Sequence, residues 1–141
     1  MATLTTQIFE ILTLNGDDVG SSVTTTINNV NYVDNRILSV PTGSVTTIFS
    51  MDANPGAGTF VTSSIKYIRV SNISTVNASV QLIVSSSTEA MSYLVTTGSS
   101  YMLSTSKMTG SVGGLNFNDI KSVKVQPSGS AATLEYYIAT T

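Results

Sequence analysis

The chain has 141 residues, a formal net charge of −2 and only 10% charged residues, against about 25% in an average domain. Its six Lys and Arg are scattered from Arg36 to Lys124, so no basic patch exists for a phosphate backbone and duplex nucleic acid is excluded as a partner. Cys, His and Trp are absent, which excludes disulfides, thiolate chemistry and a histidine general base.

The polar share is mostly hydroxyl: 22 Ser and 21 Thr, 43 of the 141 residues. A hydroxyl is cheaper to desolvate than a charge, and interface cores are depleted in charge. Another subunit therefore covers such a surface at low cost. The length fits one domain over residues 1–141 that needs no covalent staple. The start, MATLTTQIFE, has neither a basic n-region nor a long apolar core and does not read as a signal peptide. No run approaches the roughly 18 apolar residues of a membrane span. The expectation is a protein that assembles in the cytoplasm, with no membrane partner. Residues 1–6 carry little anchoring and are read as an N-terminal arm that orders on a partner.

In chain order, residues 7–14 read as a first strand with apolar groups on both faces, Phe9 and Ile11 against Ile8, Leu12 and Leu14. Such a strand is either central in a sheet or part of an interface. Asn15-Gly16-Asp17-Asp18 follows, and Asn-Gly favours a tight turn with positive φ. Asn15, Asp17 and Asp18 also suggest a calcium loop, but the full EF-hand pattern is missing. Residues 22–29 alternate as a half-buried strand, and Asn28-Asn29-Val30-Asn31 suggests a bend or bulge. Residues 32–40 hold another strand, centred on 36–40 and stopped by Pro41-Thr42-Gly43. Residues 45–51 alternate Val45, Thr47, Phe49 and Met51 against Thr46, Ile48 and Ser50. Residues 52–58 are a breaker-rich loop, and they lack the Gly-Lys-Ser/Thr ending of a phosphate loop.

From 64 to 105 four strand-like runs follow, 64–72, 80–84, 91–95 and 101–105, which read as an antiparallel meander. Ile68 and Val70 share one face, with Ile65 and Tyr67 on the other. Val80, Leu82 and Val84 oppose Ile83; Met91, Tyr93 and Val95 oppose Leu94; Tyr101 and Leu103 oppose Met102. Residues 108–118 read as a Gly-rich loop plugged by Leu115 and Phe117. Val123 and Val125 mark a strand, 127–130 a turn, and 133–140 the last strand, with Leu134, Tyr136 and Ile138 on one side. At most one helical turn is expected, near 87–90. The total is an all-β chain of about eight to ten short strands, an antiparallel β-sandwich of jelly-roll-like type.

The residues that suggest chemistry are few. Ser104 and Ser106 beside Lys107 form a nominal Ser–Lys pair, but activation needs a buried amine and an oxyanion hole, and these sit at a strand end. Asn72-Ile73-Ser74 and Asn77-Ala78-Ser79 match glycosylation sequons. Tyr67, Tyr136 and Tyr137 are candidate aromatic contacts, with Tyr136 expected in the core and Tyr137 as a partly covered surface residue, interface duty being its alternative reading. No catalytic, cofactor or metal residue is assigned, and an enzyme is not expected. An extra apolar set, Ile48, Ile65, Ile83, Leu94 and Met102, is expected on outward faces, where a contiguous patch marks an interaction site.

The run Tyr67-Ile68-Arg69-Val70-Ser71-Asn72, residues 80–84, Gly98-Ser99-Ser100-Tyr101-Met102-Leu103, residues 120–125 and Leu134-Glu135-Tyr136-Tyr137-Ile138 together resemble the small β-sandwich virion proteins of tailed bacteriophages. The resemblance covers roughly residues 65–138. It implies a capsid decoration (cement) protein, or a neck or tail component, with no catalytic residues. It also implies self-association, with a trimer as one form, and contacts with a major capsid protein or other virion proteins. A carbohydrate-binding or adhesin-type sandwich is the alternative reading.

Overall fold

The computed structural model describes residues 1–51, 59–60, 64–108 and 117–141. Among them there are fifteen strand segments and no helix. A long hairpin comes first: β1 (Ala2–Glu10), β2 (Thr13–Leu14), β3 (Asp17–Asp18) and β4 (Ser21–Val30). β1 pairs with β4, and β2 with β3 at the tip. The remaining segments are β5 (Tyr32–Val40), β6 (Thr46–Met51), β7 (Thr59–Phe60), β8 (Ile65–Asn72), β9 (Ser79–Ser85), β10 (Ala90–Val95), β11 (Ser100–Leu103), β12 (Lys107–Met108), β13 (Asn118–Asp119), β14 (Ser122–Ser128) and β15 (Ala132–Thr140).

Eight of these build an antiparallel β-sandwich. One sheet runs β11-β8-β15-β5; the other runs β10-β9-β14-β6, with β7 added in parallel at its edge. Counted one to eight along the chain, the sandwich strands stand in the orders 6-3-8-1 and 5-4-7-2. That interleaving is a jelly roll, two Greek keys folded over one core. The core lies between the sheets and includes Phe49, Ile68, Val70, Leu82, Val123, Leu134 and Ile138, all fully buried. Each comes from the inward half of a strand with period two.

The expected meander is corrected by this topology. β8 and β11 lie in one sheet and β9 and β10 in the other, so the chain crosses the core after Asn72 and returns after Val95. Ile68 and Val70 thus face the sheet that holds Val80, Leu82 and Val84 rather than lying beside it. The helical turn considered near 87–90 is absent. Ser87 and Thr88 connect a tight hairpin, in which the Ser86 N–H donates to the Glu89 carbonyl at 2.8 Å.

Two members of the expected outward apolar set are core residues. Ile48 and Ile65 are each 1% exposed. Both lie at register shifts: between Val123 and Lys124 the pairing of β14 skips Ile48 on β6, and between Ala139 and Thr140 the pairing of β15 skips Lys66 on β8. A bulge places two residues opposite one and resets the alternation. Ile48 and Phe49 therefore both turn inward, and Ile65 leaves the face that Tyr67 occupies. Phe117 is also corrected: it is 58% exposed. Leu115 and the 52–58 loop lie outside the described residues.

Candidate interaction surface

The hairpin is built by ordinary strand chemistry, but beyond its base it is buried on neither side. Residues 7–26 are all exposed, twenty in succession. Asn15 at φ 54° and Gly16 at φ 93° form the turn expected of Asn-Gly. The Val19 N–H donates to the Leu12 carbonyl, and Asp18 Oδ1 accepts from the Gly20 N–H at 2.9 Å. At the base, Asn29 at φ 62° and a register shift mark the expected bulge. Asn31 alone separates β4 from β5, and its N–H donates to the Thr140 carbonyl.

Two cross-strand apolar pairs, Leu4 with Ile27 and Ile8 with Val23, lie on one hairpin face. Leu4 and Ile27 are half-buried. Toward the tip Phe9, Ile11, Leu12, Leu14 and Val19 are all more than half exposed, Ile11 at 90%. An isolated two-stranded hairpin is only marginally stable in water. The first strand was expected to be either central or interfacial; it belongs to neither sandwich sheet.

The hairpin base overhangs the outer face of the β11-β8-β15-β5 sheet. A cleft of about 600 Å³ lies between them, bounded by Leu4, Thr6 and Ile8 above and by Tyr67, Arg69, Met102 and Tyr137 below. Register places Met102, Arg69, Tyr137 and Asn35 in one row across this face, and Tyr67, Ala139 and Val33 in the next. Tyr67 and Tyr137 meet edge to face, 6.1 Å between centroids, a favourable aromatic geometry. Burial is the main reason the Tyr67 phenol stands above its usual range, with Arg69 opposing. Arg69 bridges to Glu135 at 2.9 Å, and the Ser71 and Ser100 hydroxyls share a 2.8 Å bond. Ile37, also on this face, is 69% exposed. Together with Val33 and Met102 it forms an outward apolar set that strand-by-strand reading found only in Met102.

The opposite face of the sandwich is plainer. On it Ile83 lies directly across from Lys124, and Leu94, 69% exposed, sits diagonally beside Ile83.

The chemical candidates disperse. Lys107 is ion-paired with Asp119 at 2.8 Å, which holds that carboxyl below its usual range through the hydrogen bond and the charge. Ser104 lines the cleft beneath the hairpin instead. Asn72, of the first sequon, is 1% exposed and both its amide hydrogens are used, toward the carbonyls of Ala78 and Val95. A folded chain cannot present it for glycosylation, whereas Asn77 is exposed. Asp18 serves the hairpin turn, as above. Tyr136 is buried as expected, and its hydroxyl donates to Asp34 Oδ2 at 3.1 Å. Asp34 in turn holds Arg36 at 2.7 Å. Tyr137 lies half-exposed in the cleft.

Compared with known proteins, the chain matches no family model, no curated protein and no solved structure.

Proposed function

We propose that this chain is a structural protein of a bacteriophage particle, one that binds and stabilises the capsid as a decoration or cement protein through non-covalent subunit contacts. The observation that carries the reading is the hairpin: twenty successive exposed residues with an apolar tip, standing off a jelly roll. Jelly rolls serve in capsid and lectin domains, a fold-level analogy that supports the class and no more. Covering Phe9, Ile11, Leu12 and Leu14 gains roughly 1.5–3 kcal/mol for each fully buried side chain. Association costs on the order of 4–15 kcal/mol. One such contact is therefore weak, and a lattice that presents many at once makes it effective. A place in the neck or tail would use the same surface.

A glycan-binding sandwich is the second reading. A shallow groove of about 390 Å³, where Ser71, Thr97, Ser99 and Ser100 flank the Arg69–Glu135 pair, favours it. Light scattering of the purified protein and co-sedimentation with shells of the encoding phage separate the two. Self-association and shell binding are expected. A monomer that ignores shells and binds a glycan array would overturn the first reading in favour of the second.

A further inference from the structure

The cations of this chain are segregated from its N-terminal hairpin. Residues 1–31, which contain the whole hairpin, carry Glu10, Asp17 and Asp18 and no Lys or Arg; all six cations lie at Arg36 or beyond. Among the described residues three of those cations are already occupied: Arg36 by Asp34, Arg69 by Glu135 and Lys107 by Asp119. Lys66, on β8 of the β11-β8-β15-β5 sheet, and Lys121 and Lys124 are in no such ion pair among the described residues. Lys124 projects from the central strand β14 on the outer face of the β10-β9-β14-β6 sheet, with Ile83 opposite and Leu94 diagonal to it. Lys121 is exposed at the start of that strand. This face sets Lys124, Ile83 and Leu94 among neutral Ser and Gln side chains such as Gln81, Ser92 and Gln126, with Lys121 near Asp119 at its end; the hairpin tip is apolar and acidic.

We infer that the hairpin tip of one copy docks on the outer face of the β10-β9-β14-β6 sheet of a second copy, its carboxylates meeting Lys121 and Lys124 and its apolar side chains covering Ile83 and Leu94. The inference builds on the self-association in the proposed function and names its interface. The occupant is a second copy because charge and apolar character are complementary between two parts of one sequence. The contact is heterologous, tip to face, so it closes into a ring or a reciprocal dimer or continues as a chain. Opposite charges set its register and its rate, and salt weakens it.

Two variants test this by charge exchange. Asp17→Lys with Asp18→Lys makes the tip basic; Lys121→Glu with Lys124→Glu makes the face acidic. Each alone repels itself and is expected to associate about tenfold or more weakly than wild type in sedimentation velocity. Mixed, the two restore association, because a basic tip then meets an acidic face. All four positions are exposed or half-exposed, and circular dichroism checks that each variant folds. The chain has no cysteine, so a second measurement is clean: Leu14→Cys mixed with Leu94→Cys is expected to yield an oxidised heterodimer in excess of either homodimer. A wild type that associates while charge exchange and crosslinking have no effect overturns this interface and leaves the proposed function standing. If shells bind the tip and the isolated chain stays monomeric, the occupant is a shell protein and the inference fails. A monomer that also ignores shells removes both.

Discussion

The Ser74 hydroxyl donates a 2.6 Å hydrogen bond to Oδ1 of Asn72. The Asn72 amide donates in turn to the carbonyls of Ala78, 2.8 Å away, and Val95, 3.1 Å away. One buried side chain thus ties the end of β8 to the approach to β9 and the end of β10, where the chain crosses between sheets. Replacing Asn72 with Ala removes both donations and the Oδ1 that accepts from the Ser74 N–H and hydroxyl, leaving the Ala78 carbonyl its 3.1 Å bond from the Thr97 hydroxyl. A loss of about 2–4 kcal/mol in unfolding free energy is expected. Urea denaturation measures it, and a loss within experimental error would mean that the crossing is held by backbone bonds alone.

The face assignments predict a contrast between two leucines. Leu82 is fully buried and Leu94 is 69% exposed. Leu82→Ala is expected to cost about 3–5 kcal/mol, and Leu94→Ala within about 0.5 kcal/mol. Equal costs would contradict the placement of β9 and β10. Leu94→Ala is instead expected to weaken self-association.

Gly20 separates the hairpin from the core in a different way. A Cβ at this position would overlap the Glu10 carbonyl, a backbone atom that cannot swing aside. Gly20→Ala therefore forces the two hairpin strands apart near the tip. Faster amide exchange in β1 and β4 is expected, together with weaker association and little change in the thermal midpoint of the sandwich. Exchange unchanged from wild type would show that the tip accommodates the methyl group.

Alkaline pH is expected to destabilise the fold. Burial raises the phenols of Tyr67, Tyr101 and Tyr136 above their ordinary value of 10.0; Asp34 adds to this at Tyr136, and a hydrogen bond with Tyr93 does so at Tyr101. A group whose folded pKa is raised holds its proton in the folded state after the unfolded chain has released it. The contribution is fully present below pH 10 and is lost as pH rises through and beyond that value. Urea midpoints at pH 8 and pH 11 check it, with Tyr136→Phe expected to flatten the slope. Asp119 acts oppositely. Its folded pKa is lowered by Lys107, so its contribution holds above the usual carboxylate range and fades as pH falls below it.

Much of the fold was legible in the amino-acid sequence. Val80, Leu82 and Val84 are buried as their alternation requires, and so are Val123, Val125, Leu134 and Ile138. Asn15-Gly16 turns where it should, and Gly98 and Gly129 take positive φ in their expected turns. The exposed hairpin was only half legible. Apolar groups on both faces of residues 7–14 signalled an unusual strand, but nothing in that stretch told a central strand from one outside both sheets.

By itself, then, the sequence determined which side chains turn inward along each regular strand, where the chain reverses, and which chemistries lack their residues. Those properties are local: period two and turn conformation are set within a few residues. Tertiary structure alone decided that β8 and β9 face each other rather than pair, that Ile48 and Ile65 are core, and that the first thirty residues stand off as a hairpin. Sheet membership depends on hydrogen bonds between strands far apart in the chain, and a single bulged residue inverts the alternation without altering the composition that alternation is read from.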